Sequence, residues 1–131
     1  MDKEHYYLND PPTVGFKERC YYHDMASDKD GFVYAGLVNK NMPDGGQFGF
    51  YVKYNINELP KFTQWKMNGA REYVVGLEPA NCWVEGRAKE RTRGLQFLDP
   101  GEVRKYSLEI GALTNAAEVA EFEETVRSLR G

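Results

Sequence analysis

One acid in this chain sits where chemistry could be done. The segment Tyr73-Val74-Val75-Gly76-Leu77-Glu78-Pro79-Ala80-Asn81 alternates as a strand does. Tyr73, Val75 and Leu77 form a bulky apolar face suited to a core. The opposite face carries Val74, Gly76, Glu78 and Ala80, so the carboxylate is flanked by residues with almost no side chain. Such neighbours leave a hollow in which a ring could lie. Pro79 restricts Glu78 to extended backbone and removes a ladder donor, which places the acid at a strand end or rim. A carboxylate in that setting suits a general base. A glutamate there is also commonly solvated or held by Arg or Lys, and the residues alone leave both readings open.

Other side chains could hold a polar ring. Trp65 follows a Pro-containing loop and could stack on a sugar face, with Gln64 and Lys66 bonding hydroxyls. Trp65 could equally plug the core while Lys66 is solvated. His23-Asp24 ends a strand, and either could bind a hydroxyl; a strand-end His beside a turn-starting Asp is the plainer reading. Glu18 shares a face with Phe16, Cys20 and Tyr22 and reads as a semi-buried acid. Glu18 and Glu78 would form a glycosidase pair only at a fixed separation, which the sequence does not give. Asn81 could hold the Glu78 carboxylate or a hydroxyl. Arg87 could bind an acidic sugar or be surface charge, and Trp83 reads as packing.

The elements that must position these residues are mostly strands. Residues 1–12 read as a polar arm, residues 13–113 as an antiparallel β-sandwich portion, and residues 114–131 as an amphipathic helix. Gly15–Asp24, Phe32–Asn39 and Gln47–Tyr54 alternate as strands, separated by Gly/Asp turns, and predict an antiparallel meander. Asn55–Met67 reads as irregular or briefly helical, limited by Pro60. Cys82–Arg93 reads as a charged loop. Gly94–Leu98 and Val103–Ile110 predict a hairpin across Asp99-Pro100-Gly101-Glu102. Asn115 with Glu118 forms a capping-box pattern, and Val119, Phe122, Val126 and Leu129 follow at helical spacing.

Composition narrows the classes. A chain of 131 residues fits one domain, and aromatics at 14%, with nine Tyr and seven Phe, suit strands and sugar platforms. The net charge is −3 with mixed signs, so no nucleic-acid or membrane-surface partner is expected. No apolar run is long enough to span a bilayer, and the first residues lead into no secretory signal. Cys20 and Cys82 form no CxxC pair and read as free thiols of a cytoplasmic protein. His5 and His23 are the only histidines, so neither a metal nor a cofactor is expected.

The run Gly76-Leu77-Glu78-Pro79-Ala80-Asn81 resembles the motif of a bacterial aldose-1-epimerase-like family, relatives of galactose mutarotase. Glu18 with Tyr21, His23 and Asp24 fits the same family. So do Leu59-Pro60, Gln64-Trp65-Lys66, Glu72-Tyr73, Gly86-Arg87, and Leu98 through Pro100-Gly101-Glu102 to Tyr106. The resemblance runs from about Pro12 to Leu113. It implies a mainly β fold, part of a galactose-mutarotase-like supersandwich, with one C-terminal α-helix. It further implies a sugar or sugar acid as ligand and anomer interconversion by acid–base ring opening, with Glu78 as base. Family members are more than twice this length, and this chain resembles their C-terminal part. The family's catalytic histidines lie upstream of that part, and neither His5 nor His23 matches them. The expectation is therefore a sugar-handling, epimerase-like protein whose acid comes from elsewhere. The alternative is a non-catalytic carbohydrate-binding or structural half-domain that needs a second copy, or a partner supplying the missing half of the sandwich.

Overall fold

The structure is a computed structural model that describes residues 6–129; the first part of the arm, with His5, and the last two residues lie outside it. The protein is mainly β. Its strands are β1 (Arg19–His23), β2 (Phe32–Asn39), β3 (Phe48–Asn55), β4 (Lys61–Gly69), β5 (Glu72–Ala80) and β6 (Leu108–Leu113). Its helices are α1 (Arg87–Arg93) and α2 (Ala116–Ser128). The strands form two antiparallel three-stranded sheets, ordered β1-β4-β5 and β2-β3-β6. The chain divides into two compact units: Met1–Asp24 with Lys61–Leu95, and Met25–Pro60 with Gln96–Gly131.

The first unit holds the β1-β4-β5 sheet. β4 is its central strand, in a region whose sequence reads as irregular or briefly helical. Pro60 bars a helix, but just ahead of a strand its missing N–H disturbs no ladder. The strand is hard to read because its buried alternate positions are mostly polar: Phe62, Gln64, Lys66 and Asn68 are all buried. β1 pairs with β4 rather than β2, so the expected three-strand meander is reduced to the β2–β3 hairpin. Alternation marks which residues share a face and leaves the partner strand open. The segment expected to be a charged loop contains α1. Lys89 and Arg93 both bond Glu85, and Gly94 closes the helix in the left-handed conformation, its N–H donating to the Glu90 carbonyl.

The second unit holds the β2-β3-β6 sheet and α2. Asp28 organises the turn into β2. Its carboxylate accepts from the backbone N–H of Phe32 (2.8 Å) and Asp30 (3.0 Å) and from the Tyr34 hydroxyl, and these bonds hold it below the usual carboxylate range. The expected hairpin around Pro100-Gly101 forms its turn, with the Glu102 N–H on the Asp99 carbonyl at 2.9 Å, but its flanks make no ladder. Arg104 ties the flanks through Gln96 and the Phe97 carbonyl, and only Leu108–Leu113 pairs, with β3. α2 starts where its cap pattern places it. The Asn115 side chain accepts from the N–H groups of Ala117 and Glu118, and Glu118 reaches the Thr114 N–H at 2.6 Å. Val119 is fully buried, and the Phe122 ring lies over Gly36, where a Cβ would sit 2.7 Å from the ring. Val33, Val52 and Tyr54 are buried on the opposite face of this sheet, and burial pushes the Tyr54 phenol up to about 12.

Candidate functional site

The register of the first sheet sorts the candidate residues. Across β1, β4 and β5 the rows are Cys20–Trp65–Gly76 and Tyr22–Thr63–Glu78 on one face. Between them on the other face lie Arg19–Lys66–Val75, Tyr21–Gln64–Leu77 and His23–Phe62–Pro79. Side chains of paired residues in an antiparallel ladder point the same way. Trp65 and Lys66, neighbours in sequence, therefore serve opposite faces.

The first face gathers the acids and the indoles. Trp65 is half-buried at its centre, and its indole N–H donates to the Glu18 carboxylate at 2.8 Å. Glu78 is half-buried and folds back over Gly76: a Cβ at that position would stand 2.5 Å from Glu78 Oε1. The hollow read beside Gly76 is thus occupied by the carboxylate itself, which the absent side chain admits. Partial burial raises the pKa of the Cys20 thiol, and the nearby charges of Glu18 and Glu78 raise it further, so both carboxylates act on this row. Trp83 returns to the same face, edge-on to Tyr22 with ring centroids 4.8 Å apart and with Lys61 Nζ 4.9 Å from its own centroid. Thr63 is 1% exposed, and its hydroxyl has no hydrogen-bond partner among the described residues. An aromatic surface bordered by carboxylates and a lysine can stack a polar ring and accept its hydroxyl protons.

The opposite face is covered. Residues 6–10 cross it, and their carbonyls receive its donors: Gln64 Nε2 donates to Tyr6 (3.1 Å), Lys66 Nζ to Leu8 (2.8 Å) and the Tyr73 hydroxyl to Asp10 (2.8 Å). The strap is fixed downstream by Thr13, whose N–H donates to the Asn68 carbonyl and whose carbonyl accepts from Ala70. His23 Nε2 lies 3.3 Å from Gln64 Oε1, and its ring packs edge-on to Tyr6 and Phe62. Burial lowers the His23 pKa; the Gln64 contact opposes this and the Lys66 charge adds to it. Burial also lowers the Lys66 pKa, with Asp10 opposing and Arg19 adding.

The structure brings Glu78, Trp65 and Glu18 to one face and places Gln64, Lys66 and His23 on the other. Asp24 follows β1 exposed, Asn81 follows β5 half-buried, and Arg87 opens α1 exposed. Trp83, Lys61 and Thr63 join the Glu78 face without having been singled out for it. Pro79 and the charged stretch beyond masked the return of Trp83, whereas Lys61 and Thr63 needed only β4 recognised as a strand. Cys20 and Cys82 are free and exposed. No cluster of metal-ligating side chains occurs among the described residues, and no helix there is long and apolar enough to cross a membrane.

A family model described as a domain of unknown function, DUF4432, matches residues 2–112. The chain belongs to the DUF4432 family. The match takes in both sheets and ends before α2. A solved structure from Klebsiella pneumoniae subsp. pneumoniae MGH 78578, described as a "putative aldose 1-epimerase", superposes on this DUF4432 chain with a TM-score of 0.83 at 27% identity. The alignment covers 92% of this chain and 31% of that one, so this chain spans about a third of the structure it resembles. The fold is aldose-1-epimerase-like. A search of curated proteins returned no match.

Proposed function

We propose that the Glu78 face binds a sugar and that Glu78 is the base of an aldose-1-epimerase-like reaction. The observation behind this reading is the seating of the Glu78 carboxylate over Gly76, in the row next to the Trp65 indole that Glu18 holds. The fold likeness supports it. In the reaction, Glu78 takes the proton of the anomeric hydroxyl. The bond from the anomeric carbon to the ring oxygen breaks, the ring oxygen gains a proton, and the open aldehyde recloses on either side. His23, the histidine among the described residues, is on the opposite face. On this reading the proton for the ring oxygen comes from a group other than His23, and the Glu78 face contributes the platform and the base. Titration with a panel of aldoses, ketoses and uronic acids, followed by Trp fluorescence, tests the reading. Saturable quenching that weakens in Trp65→Ala and Glu78→Gln is expected. A well-folded chain that responds to no sugar counts against it.

A second reading rests on the other sheet. Phe48, Phe50, Leu108 and Ile110 share one face of β2-β3-β6 and are 41–65% exposed. Under this reading the chain is a binding or structural half-domain, and a second copy or a partner supplying the rest of the sandwich covers that face. Sedimentation over a concentration series separates the two: a chain that stays monomeric at every concentration rules out self-association.

A further inference from the structure

A strand face buried against its own chain is ordinarily apolar, yet the covered face of β4 carries Gln64, Lys66 and Asn68 in succession, at 8%, 2% and 1% exposure. Burying an amide or ammonium costs free energy unless the group is hydrogen-bonded. For Gln64 and Lys66 the bonds go to the backbone of the strap. Tyr6, Leu8 and Asp10 present their carbonyls to the sheet at alternate residues, as an extended chain does. Its apolar hold is confined to Tyr6, half-buried against the His23 and Tyr21 rings, while Tyr7 and Leu8 are 62% and 71% exposed. Asn68 Oδ1 accepts no hydrogen bond among the described residues. The charged groups acting on Lys66 are Asp10 of the strap and Arg19 of β1, and the Tyr21 ring lies 5.6 Å from its ammonium.

We propose that residues 6–10 form a displaceable strap over a binding site for a polyhydroxylated anion, whose anionic oxygens replace the Leu8 carbonyl on Lys66. A charged acceptor makes roughly twice as strong a bond to an ammonium as a neutral carbonyl does. Gln64 Nε2 then donates to a ligand oxygen in place of Tyr6, and Asn68 Oδ1 accepts from a ligand hydroxyl. The strap oxygens stand where ligand oxygens would stand. The site is on the opposite face of the sheet from Glu78 and does not rest on the sugar reading there.

The test uses the full chain with glucuronate and glucose 6-phosphate as probes, glucose as neutral control, and matched ionic strength. Binding is measured by calorimetry, and strap release by chymotryptic cleavage after Tyr6, Tyr7 or Leu8. Saturable binding of at least one anion is expected, with cleavage about fivefold faster as the strap opens. The preferred probe tells carboxylate from phosphate. Lys66→Met should weaken the binding that opens the strap about tenfold. Should Lys66→Met not fold, Gln64→Leu should still weaken it about threefold. The proposal is overturned if neither anion binds, if glucose speeds the cleavage as the anions do, if anion binding leaves cleavage unchanged, or if the folded variants open the strap at the same anion concentrations as wild type does.

Discussion

The two faces of the β1-β4-β5 sheet share one set of strands and differ in almost everything else. One presents Glu18, Cys20, Trp65 and Glu78, with two of these residues exposed and two half-buried. The other buries Phe62, Gln64, Lys66 and Asn68 under a strap held by backbone carbonyls. Period-two alternation separates Trp65 from Lys66 with no change of element. A tripeptide that reads as one sugar-binding patch, Gln64-Trp65-Lys66, is thereby divided between an open acidic, aromatic surface and a closed polar one. A site on such a sheet belongs to a face and a register, and closeness in sequence says little about it.

The largest effect expected from this contrast is on stability. Phe62→Ala empties a position that is 3% exposed on the covered face and should cost about 3–5 kcal/mol in denaturant unfolding. Cys20→Ala on the open face should stay within about 0.5 kcal/mol. Equal losses would erase the distinction between the faces.

Function should follow the opposite order. Glu78→Gln is expected to weaken the fluorescence response to a neutral sugar about tenfold, or about 1.4 kcal/mol, with unfolding changed by less than about 0.5 kcal/mol. Gly76→Ala sharpens the point. Its Cβ would meet Glu78 Oε1, so the carboxylate must leave its seat and the sugar response should fall. Alanine is otherwise favoured over glycine in a strand, so stability should hold or rise by up to about 0.5–1 kcal/mol. A variant that keeps its full sugar response would show that the seat of Glu78 is incidental.

The smallest expected effect is a pH dependence confined to the covered face. His23 has a lowered pKa in the fold, through burial first, so the unfolded chain takes up its proton at higher pH. Stability should therefore fall as pH drops through the ordinary value of 6.5, and stop falling on this account once the folded value is passed. His23→Phe should flatten that part of the profile in unfolding curves between pH 7.5 and pH 5. An unchanged slope would show that His23 titrates as freely in the fold as out of it.

Much of the fold is legible wherever hydrophobic period and burial agree. β2 and β3 read directly from their alternation, and α2 from Asn115, Glu118 and the stripe begun by Val119. Reading failed where a strand buries polar groups. Gln64, Lys66 and Asn68 at the buried positions of β4 erase the apolar period, and Gln64 and Lys66 find their partners in carbonyls of a strap some 58 residues away in the chain. The Pro100-Gly101 turn was legible, while its missing ladder was not, since Arg104 rather than strand pairing joins its flanks. Glu78 and Gly76 share a face by alternation alone. The arrival of Trp65 and Glu18 beside them depends on inter-strand register, which nothing local encodes.

The most direct test of sugar binding on the Glu78 face is a chemical-shift map of the full chain titrated with a neutral aldose. The Trp65 indole N–H, bonded to Glu18, reports on one face, and the Gln64 side-chain amide, bonded to the Tyr6 carbonyl, reports on the other. The expected result is a saturable shift of the Trp65 indole and of the Cys20 and Glu78 backbone resonances, with the Gln64 side chain unmoved. Shifts concentrated at Gln64, Lys66 and His23, with the Trp65 indole unchanged, would contradict it.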